Sequence, residues 1–78
     1  MEKVEFQKLL GKRIQNLRLI KGMTQVDLAS KVEGRFDTTN LSRIESGRIS
    51  TTTYTLYRIS QALEIPLEEL VKFEPSRI

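Results

Sequence analysis

Four polar side chains within one short segment, residues 38–47 (TTNLSRIESG), have the chemistry of recognition by hydrogen bonding. They are Thr38, Thr39, Asn40 and Arg43. A guanidinium or a side-chain amide can make two parallel hydrogen bonds to one planar partner, and a hydroxyl can donate or accept. The segment has little apolar surface of its own, because only Leu41 and Ile44 are suited to face a core. We therefore expect a short helix that neighbouring elements hold in place and that presents its polar side to a partner.

Covalent chemistry and metal binding have no comparable support in the composition. The 78 residues include no His and no Cys, which removes a disulfide framework and the common zinc sites. There is no Gly-rich phosphate loop and the carboxylates lack a convergent spacing, so we predict no enzyme, no cofactor and no small-molecule ligand. A single domain this small has a modest core, and self-association is the remaining common way to stabilise it.

Charge is divided unevenly along the chain. Residues 1–58 contain eleven Lys and Arg against six Asp and Glu, whereas residues 59–78 contain two against four. This asymmetry favours a body that meets an anionic partner and a C-terminal part that faces away from it. Scattered solvated charge is the alternative explanation.

Two segments bear on the expected location of the protein. The N-terminal MEKVEFQKLLGKR is interrupted by charges, unlike a signal peptide. The longest uncharged run, ISTTTYTLY, is far shorter than the ~20 apolar residues that a membrane span needs. We expect a soluble, cytoplasmic protein that does not enter a membrane.

Helical periodicity runs through the chain and predicts five helices without a β-strand. The first helix carries an apolar stripe up to Lys21, and Gly22 suits the left-handed position that ends helices. This stripe consists of Phe6, Leu9, Leu10, Ile14, Leu17 and Ile20. Gly11 lies inside the helix at a cost relative to Ala, which indicates a close packing contact.

Two short helices follow, and each has its own capping residue. Thr24 can cap the second helix, with Asp27 three residues on as in a capping box. Asp37 can cap the third helix, which is expected to end at Ser46 and Gly47. The expected core residues of this pair are Leu28, Ala29, Val32, Leu41 and Ile44.

The last two predicted helices lie in the C-terminal third. Helix four begins near Thr51 or Thr52, and Pro66 occupies the first turn of helix five, where its missing N–H is no loss. Residues 74–78 are expected to be a frayed end. The apolar positions of the two helices are Leu56, Ile59, Ala62, Leu63, Leu67, Leu70, Val71 and Phe73.

Helices two and three, joined by a tight turn, form the pattern of a helix-turn-helix motif. With its surroundings, LGKRIQNLRLIKGMTQVDLASKV…LSRIESG…LYRISQALEI, it resembles the Xre/Cro-like family of phage repressors, Cro proteins and small bacterial regulators, over about residues 9–71. The resemblance implies one domain, residues 1–78: an all-α, compact five-helix bundle of the lambda-repressor type. Two departures occur: the turn VEGRFD is about two residues longer than usual in the family, and Thr51 stands where a proline is frequent.

The resemblance implies a function in binding double-stranded DNA. The major groove is about 12 Å wide and admits one helix, whose N-terminal residues reach base edges. The readers by position are Thr38, Thr39, Asn40 and Arg43. Arg can bond guanine O6 and N7, and Asn can bond adenine N6 and N7. Two alternatives stay open: Arg43 could contact a phosphate or pair with a surface carboxylate, and Asn40 could turn back on its own helix.

Phosphate contacts hold a reading helix in register without reading sequence. The resemblance points to Gln25 with the free N–H groups at the start of helix two, and to Ser46 and Arg48 just past helix three. The full expected set is Gln25, Ser46, Arg48, Thr24, Arg35 and Lys21. For the last two, and for Arg13, a solvated charge is an equally good interpretation.

Arg18 and Glu45 match a pair that forms a partly buried salt bridge in this family, between helix one and the end of helix three. We expect the pair to fix the reading helix on the scaffold while it leaves the Arg18 side chain near DNA. Removal of one partner of a buried pair can cost about 3–5 kcal/mol. Its expected role is structural first.

A homodimer is expected because one module buries roughly 600–1,000 Å² of its surface on DNA, which is little for tight specific binding. A two-fold dimer places two reading helices about 34 Å apart and requires a near-palindromic site. The apolar residues of helix five exceed what a terminal helix needs, unless they only close their own domain. The predicted seam is Leu67, Leu70, Val71, Phe73 and Ile65, with Tyr54 or Tyr57.

These features predict a sequence-specific transcriptional regulator that binds its operator as a homodimer. Restriction–modification controller proteins and Cro-like phage regulators are the short family members closest in layout, and we favour a controller, which can activate with RNA polymerase as partner as well as act as a repressor. An antitoxin-type repressor is an alternative. A protein-interaction module without DNA binding is another, and the polar side chains of Gln25 and Arg43 argue against it.

Overall fold

The computed structural model describes residues 1–73 and contains five helices. They are α1 Lys3–Ile20, α2 Gln25–Lys31, α3 Thr38–Glu45, α4 Thr53–Leu63 and α5 Leu67–Leu70. Among the described residues there is no β-strand. The all-α, five-helix fold class is therefore confirmed, while the frayed end expected over residues 74–78 lies outside the described residues.

One apolar core holds the helices together. Its fully covered side chains come from every helix, so none of the five is an appendage. The buried apolar residues are Leu10, Ile14, Leu28, Ala29, Val32, Leu41, Ile44, Ile59, Ala62, Leu63 and Leu70. Ile20, which we placed at the edge of the α1 stripe, is instead 77% exposed, because it is the last residue of α1 and extends past the helices packed against it.

Helix ends follow the capping residues that the sequence predicts. Thr24 and Asp27 form the capping box: the Asp27 N–H donates to Thr24 Oγ1 at 3.0 Å and the Thr24 N–H donates to Asp27 Oδ2 at 2.9 Å. Asp37 accepts from the Asn40 N–H at 2.7 Å and so starts α3. Thr52 caps α4 by accepting from the Thr55 N–H at 3.1 Å. These local bonds fix where each helix begins.

Two glycines let α3 approach α1 more closely than any side chain would allow. A Cβ atom on Gly11 would overlap the Ile44 carbonyl oxygen and would lie 2.5 Å from the Glu45 carbonyl oxygen. Gly47, with φ of 75°, would place a Cβ atom 2.8 Å from the Cα atom of Lys8. The predicted packing contact at Gly11 is confirmed, and the end of α3 rests directly on the α1 backbone.

The C-terminal region departs from the sequence prediction in length. Helix α5 is a single turn of 4 residues, and Pro66 is the residue before it rather than part of its first turn. Val71 and Phe73 consequently follow the helix instead of belonging to it. Helix α4 ends on Glu64 in the left-handed conformation, with φ of 59°, a position at which Gly is favoured.

Candidate nucleic-acid interface

The outer side of α3 is a polar strip. Thr39, Asn40 and Arg43 are exposed and Thr38 is half-buried, whereas Leu41 and Ile44 on the opposite side are in the core. Thr39 and Arg43 are four residues apart and therefore lie one above the other on the helix surface. The α3 surface thus presents all four expected readers, with the Arg43 guanidinium one turn beyond the first-turn side chains.

A buried ion pair locks this strip to α1. Arg18 donates from Nε to Glu45 Oε2 at 2.7 Å and from Nη2 to Glu45 Oε1 at 3.0 Å, with both side chains less than a tenth exposed. Arg18 Nη1 also donates to the Met23 carbonyl at 2.8 Å. The expected salt bridge is present, and its two-pronged geometry fixes the end of α3 in orientation as well as in position.

The Glu45 carboxylate also holds the start of α2. Gln25 Nε2 donates to Glu45 Oε1 at 3.0 Å, so α1, α2 and α3 meet at one carboxylate. We expected the Gln25 amide to contact a phosphate, but one of its N–H groups donates within the protein. The Gln25 side chain is half-buried and borders the surface beside α3. Three hydrogen bonds to one buried carboxylate compensate the loss of its hydration.

Beside α3 lies a polar cleft of about 370 Å³ that the sequence prediction missed in part. It is lined by Lys8, Lys12, Gln15, Gln25, Ser42, Glu45 and Ser46. Lys8 and Lys12 are exposed and line the cleft from α1. The sequence does contain a signal for these residues, because positions 8, 12 and 15 share one face of a helix, next to the apolar stripe.

The segment after α3 is also tied to α1. Gln7 Nε2 donates to the Gly47 carbonyl at 3.1 Å, and Ser50 Oγ donates to Gln7 Oε1 at 3.0 Å. Ser46 is exposed with its hydroxyl donating to the Arg43 carbonyl, and Arg48 is exposed next to the left-handed Gly47. Gln7 was not predicted, because its acceptor is a backbone carbonyl 40 residues away and leaves no mark in the sequence.

Of the remaining residues expected near phosphates, three are exposed and one is hydrogen-bonded within the protein. Lys21 and Arg35 are exposed, and Thr24 is exposed with its hydroxyl committed to the α2 cap. Arg13 instead donates to the Glu69 carbonyl at 2.8 Å and to its carboxylate at 3.2 Å, which ties α1 to α5. Its role in the structure is therefore an internal link.

A separate apolar groove of about 670 Å³ is formed by residues of α1, α4 and α5 and of the segments next to α4 and α5. It is lined by Phe6, Thr51, Thr53, Leu56, Leu67, Glu68 and Val71. Val71 is exposed, Ile65, Leu67 and Phe73 are half-buried, and the Phe73 ring packs edge-on against Phe6 at 5.5 Å. Leu70 needs a correction: it is fully buried in the core of its own chain, so it cannot itself contact a second copy in this fold.

The profile of the helix-turn-helix domain family matches residues 11–74. The chain belongs to this family. As a helix-turn-helix transcriptional regulator of the Xre/Cro-like type, it binds double-stranded DNA and is not an enzyme. The α2–α3 unit with its polar outer strip is the part of the fold that gives the family its name.

Individual relatives agree with this assignment. The regulator is 37% identical over 68 residues to an uncharacterized HTH-type transcriptional regulator, y4dJ, of Sinorhizobium fredii, a match that covers 87% of this chain and 86% of the relative. Its fold is similar to that of the restriction–modification controller protein C.AhdI of Aeromonas hydrophila, with a TM-score of 0.78 and 26% identity over 82% of this chain and 94% of that one. An HTH_3 family regulator of Vibrio cholerae superposes with a TM-score of 0.82 and 26% identity, over 88% of this chain and 38% of that one.

Two features are absent from residues 1–73. No helix in this part of the chain combines the length and apolar character that crossing a membrane requires. Over the same residues, no cluster of three or more His, Cys, Asp or Glu side chains has the geometry to hold a metal ion.

Proposed function

We propose that the regulator binds a near-palindromic DNA site as a homodimer, with α3 in the major groove of each half-site. The observation that carries the proposal is the exposed polar strip on a helix whose end is fixed by the buried Arg18–Glu45 pair. A reading helix must hold its side chains within about 0.5 Å of their productive positions. The ion pair, the Gln25 hydrogen bond and the glycine contacts supply that support.

Base reading in this proposal belongs to the first turn of α3 and to Arg43. The Arg43 guanidinium, exposed and one turn beyond Thr39, bonds the O6 and N7 atoms of a guanine. The exposed Asn40 amide is matched to adenine, and a Thr38 or Thr39 methyl group packs on a thymine methyl.

Phosphate contacts in this proposal come from the polar cleft beside the reading helix and from the segment that follows it. Gln25, Lys8, Lys12 and Ser46 line the cleft. Arg48 is exposed just past the end of α3 and meets the backbone there. An arrangement of cations and amides around a groove-binding helix supplies sequence-independent affinity, which falls with salt.

The second copy in this proposal covers the apolar side of α4 and α5. Val71, Leu67 and Phe6 expose apolar surface along one groove, on a chain whose own core is already closed by Leu70. Ile65 and Phe73 are half-buried, and the Phe73 ring packs against Phe6 of the groove. A two-fold axis here sets two α3 helices about 34 Å apart, one turn of duplex.

We propose a restriction–modification controller as the biological role. The support is the similarity in fold and size to the controller protein C.AhdI. A controller of this kind acts on the promoter of its own operon, by repression or through RNA polymerase. Its cytoplasmic location follows from that role.

The decisive experiment is a footprint on the DNA upstream of the regulator's own gene, with sedimentation of the same sample. The expected result is one protected near-palindromic region, bound by two copies of the chain. Protection without any two-fold sequence symmetry would contradict the dimer arrangement, and no protection at any concentration up to that of non-specific binding would contradict the controller role.

A further inference from the structure

Few side chains of the connection between α2 and α3, residues 32–37, are buried, so they do little to hold it in place. Glu33, Gly34 and Arg35 are exposed, and only Val32 and Phe36 carry buried surface. Gly34 adopts φ of 84°, a left-handed conformation that a glycine permits. The connection leads directly into the residue that caps α3, so whatever anchors it also sets the direction in which the reading helix begins.

Arg58, in the middle of α4, supplies that anchor. Its Nη1 atom donates to the Glu33 carbonyl oxygen at 2.8 Å, and its Nη2 atom donates to Thr55 Oγ1 at 3.3 Å. The guanidinium carbon lies 5.6 Å from the centroid of the Phe36 ring and 5.6 Å from that of Tyr54. The buried Arg58 Nε has no hydrogen-bond partner among the described residues, so the hold on this side chain comes from its two terminal nitrogens and the two rings.

Gly34 has a second role in this arrangement. A Cβ atom at this position would lie 3.3 Å from Arg58 Nη1, closer than ordinary contact, in addition to the strain of the left-handed backbone. The glycine therefore lets the guanidinium close onto the connection. Arg58 contacts both ends of the exposed part: the Glu33 carbonyl before Gly34 and the Phe36 ring after Arg35.

We propose that Arg58 is a positioning residue for DNA recognition: by clamping residues 33–36 onto α4, it sets the orientation of the first turn of α3. The inference rests on the proposed function of α3 as the reading helix. Phe36 is followed at once by Asp37, whose carboxylate holds the Asn40 N–H at 2.7 Å. Release of the Phe36 ring and the Glu33 carbonyl frees this cap, and the side chains of Thr38 and Thr39 move with it.

Two variants and one matched control test the proposal. Arg58→Met keeps the length and apolar stem but removes every donor, while Arg58→Lys retains one ammonium that reaches the Glu33 carbonyl. Arg13→Met is the control, because Arg13 is also half-buried and also donates to a backbone carbonyl at 2.8 Å, but at α5. All are compared at a temperature at which circular dichroism shows each protein folded.

The first readout is DNA preference. The probes are a duplex that the wild-type protein selects from a random-sequence pool and a scrambled duplex of the same composition. Arg58→Met should reduce the ratio of the two affinities by about tenfold, the effect of one mismatched base pair, with the salt dependence unchanged because the phosphate contacts remain. Arg58→Lys should keep most of the ratio, and Arg13→Met should keep all of it.

The second readout needs no DNA. Hydrogen exchange of the Asn40 N–H reports the α3 cap, and exchange of the Asp27 N–H, which donates to Thr24 Oγ1 at 3.0 Å, reports the α2 cap as an internal reference. Arg58→Met should accelerate exchange at Asn40 and leave Asp27 unchanged. Arg13→Met should leave the two amides in their wild-type ratio.

Each outcome separates this inference from the proposed function. An unchanged affinity ratio with unchanged Asn40 exchange in folded Arg58→Met overturns the positioning role, as do equal losses in Arg58→Met and Arg13→Met. If the wild-type protein selects no duplex, the proposed function fails, and Asn40 exchange alone decides whether Arg58 orients α3. If Arg58→Met does not fold, the same comparisons on Arg58→Lys decide, with a smaller expected change.

Discussion

The α3 side and the α4–α5 side of this regulator are both exposed, but they are built in opposite ways. The α3 strip is polar and is held by a buried network in which Arg18, Gln25 and Met23 all take part. The α4–α5 side has an apolar groove near Val71. Helix α4 also carries two exposed tyrosines, Tyr54 and Tyr57, stacked at 6.4 Å. The α3 strip depends on the orientation of its polar side chains, whereas the α4–α5 side provides apolar surface area that a partner can cover.

This difference matches the two kinds of partner that we propose. Hydrogen bonds to base edges fail when donors are misplaced, so the reading surface needs rigid internal support. Apolar burial between protein surfaces is non-directional and scales with area, so a seam tolerates small shifts. Perturbations should therefore act on stability and sequence preference through the first side, and on association through the second.

The largest effect is expected from breaking the ion pair under the α3 strip. Glu45→Met leaves the Arg18 guanidinium buried without its countercharge, which should lower the free energy of unfolding by about 3–5 kcal/mol in urea denaturation. The double variant Arg18→Met with Glu45→Met is the control, since it removes both charges together and should recover most of the loss. Equal destabilisation in the single and double variants would show that packing, not the charge pair, supports α3.

A smaller and more specific effect is expected from the two exposed arginines around the end of α3. Arg43→Ala should remove about 1–3 kcal/mol of preference at one base pair per half-site, measured with a set of single-substituted duplexes. Arg48→Ala should weaken binding to all of these duplexes alike and reduce the slope of log affinity against log salt by about one for each half-site. Our assignment of base and phosphate contacts would be reversed if Arg43→Ala weakened binding to all duplexes alike and Arg48→Ala changed the preference at one base pair.

On the apolar side, Val71→Glu should shift the proposed dimer toward monomer. A carboxylate buried in a two-fold seam of apolar residues loses its hydration, so dimer dissociation should increase at least about tenfold in sedimentation equilibrium. Val26→Glu is the matched control, because Val26 is another exposed valine, 63% accessible, on α2. If the dimer persisted in Val71→Glu but dissociated in Val26→Glu, the dimer seam would be assigned to the α2 surface instead.

The smallest effect is expected from acid, and it acts on both sides. The Thr24 backbone N–H, by donating to its carboxylate, lowers the pKa of Asp27 on the α2 side, and the Lys72 ammonium does the same to the pKa of Glu69 on the α5 side. A lowered pKa in the folded state contributes stability above the unfolded value of about 4, and this is lost as the pH falls through the folded value.

The measurement is the midpoint of urea unfolding at pH 7 and at about pH 3 for the wild type, Asp27→Asn and Glu69→Gln. Each variant should be less stable than wild type at neutral pH, and the difference should shrink in acid as the wild-type carboxylates become protonated. A difference that stays constant across this range would assign the loss to packing rather than to ionisation.

Local signals predicted the fold well, because they require no knowledge of distant residues. The caps at Thr24 and Asp37 and the left-handed Gly22 are decided within a few residues of chain. The length of α5 could not be predicted in this way. The helix has four residues and ends before Val71, although the apolar pattern would allow the turn to continue. Leu70, the last residue of α5, is fully buried in the core, which moves it from the predicted seam to the interior.

The candidate site was predictable to the extent that side chains pair with side chains. Arg18 and Glu45 could be anticipated from the family resemblance, and the lysines at 8 and 12 from helical spacing. Contacts in which a side chain donates to a backbone carbonyl could not be. Gln7 to Gly47 and Arg58 to Glu33 belong to this class, because any residue type offers the same acceptor.

The sharing of the Glu45 carboxylate has a mechanical consequence for operator choice. Arg18 and Gln25 both bind it, so α1, α2 and α3 are connected as one rigid unit. In the docking that we propose, this unit would not tilt one helix alone to accommodate a stretched or compressed half-site. Tolerance of altered operator spacing would then come from movement between the two copies of the proposed dimer, or from bending of the DNA itself.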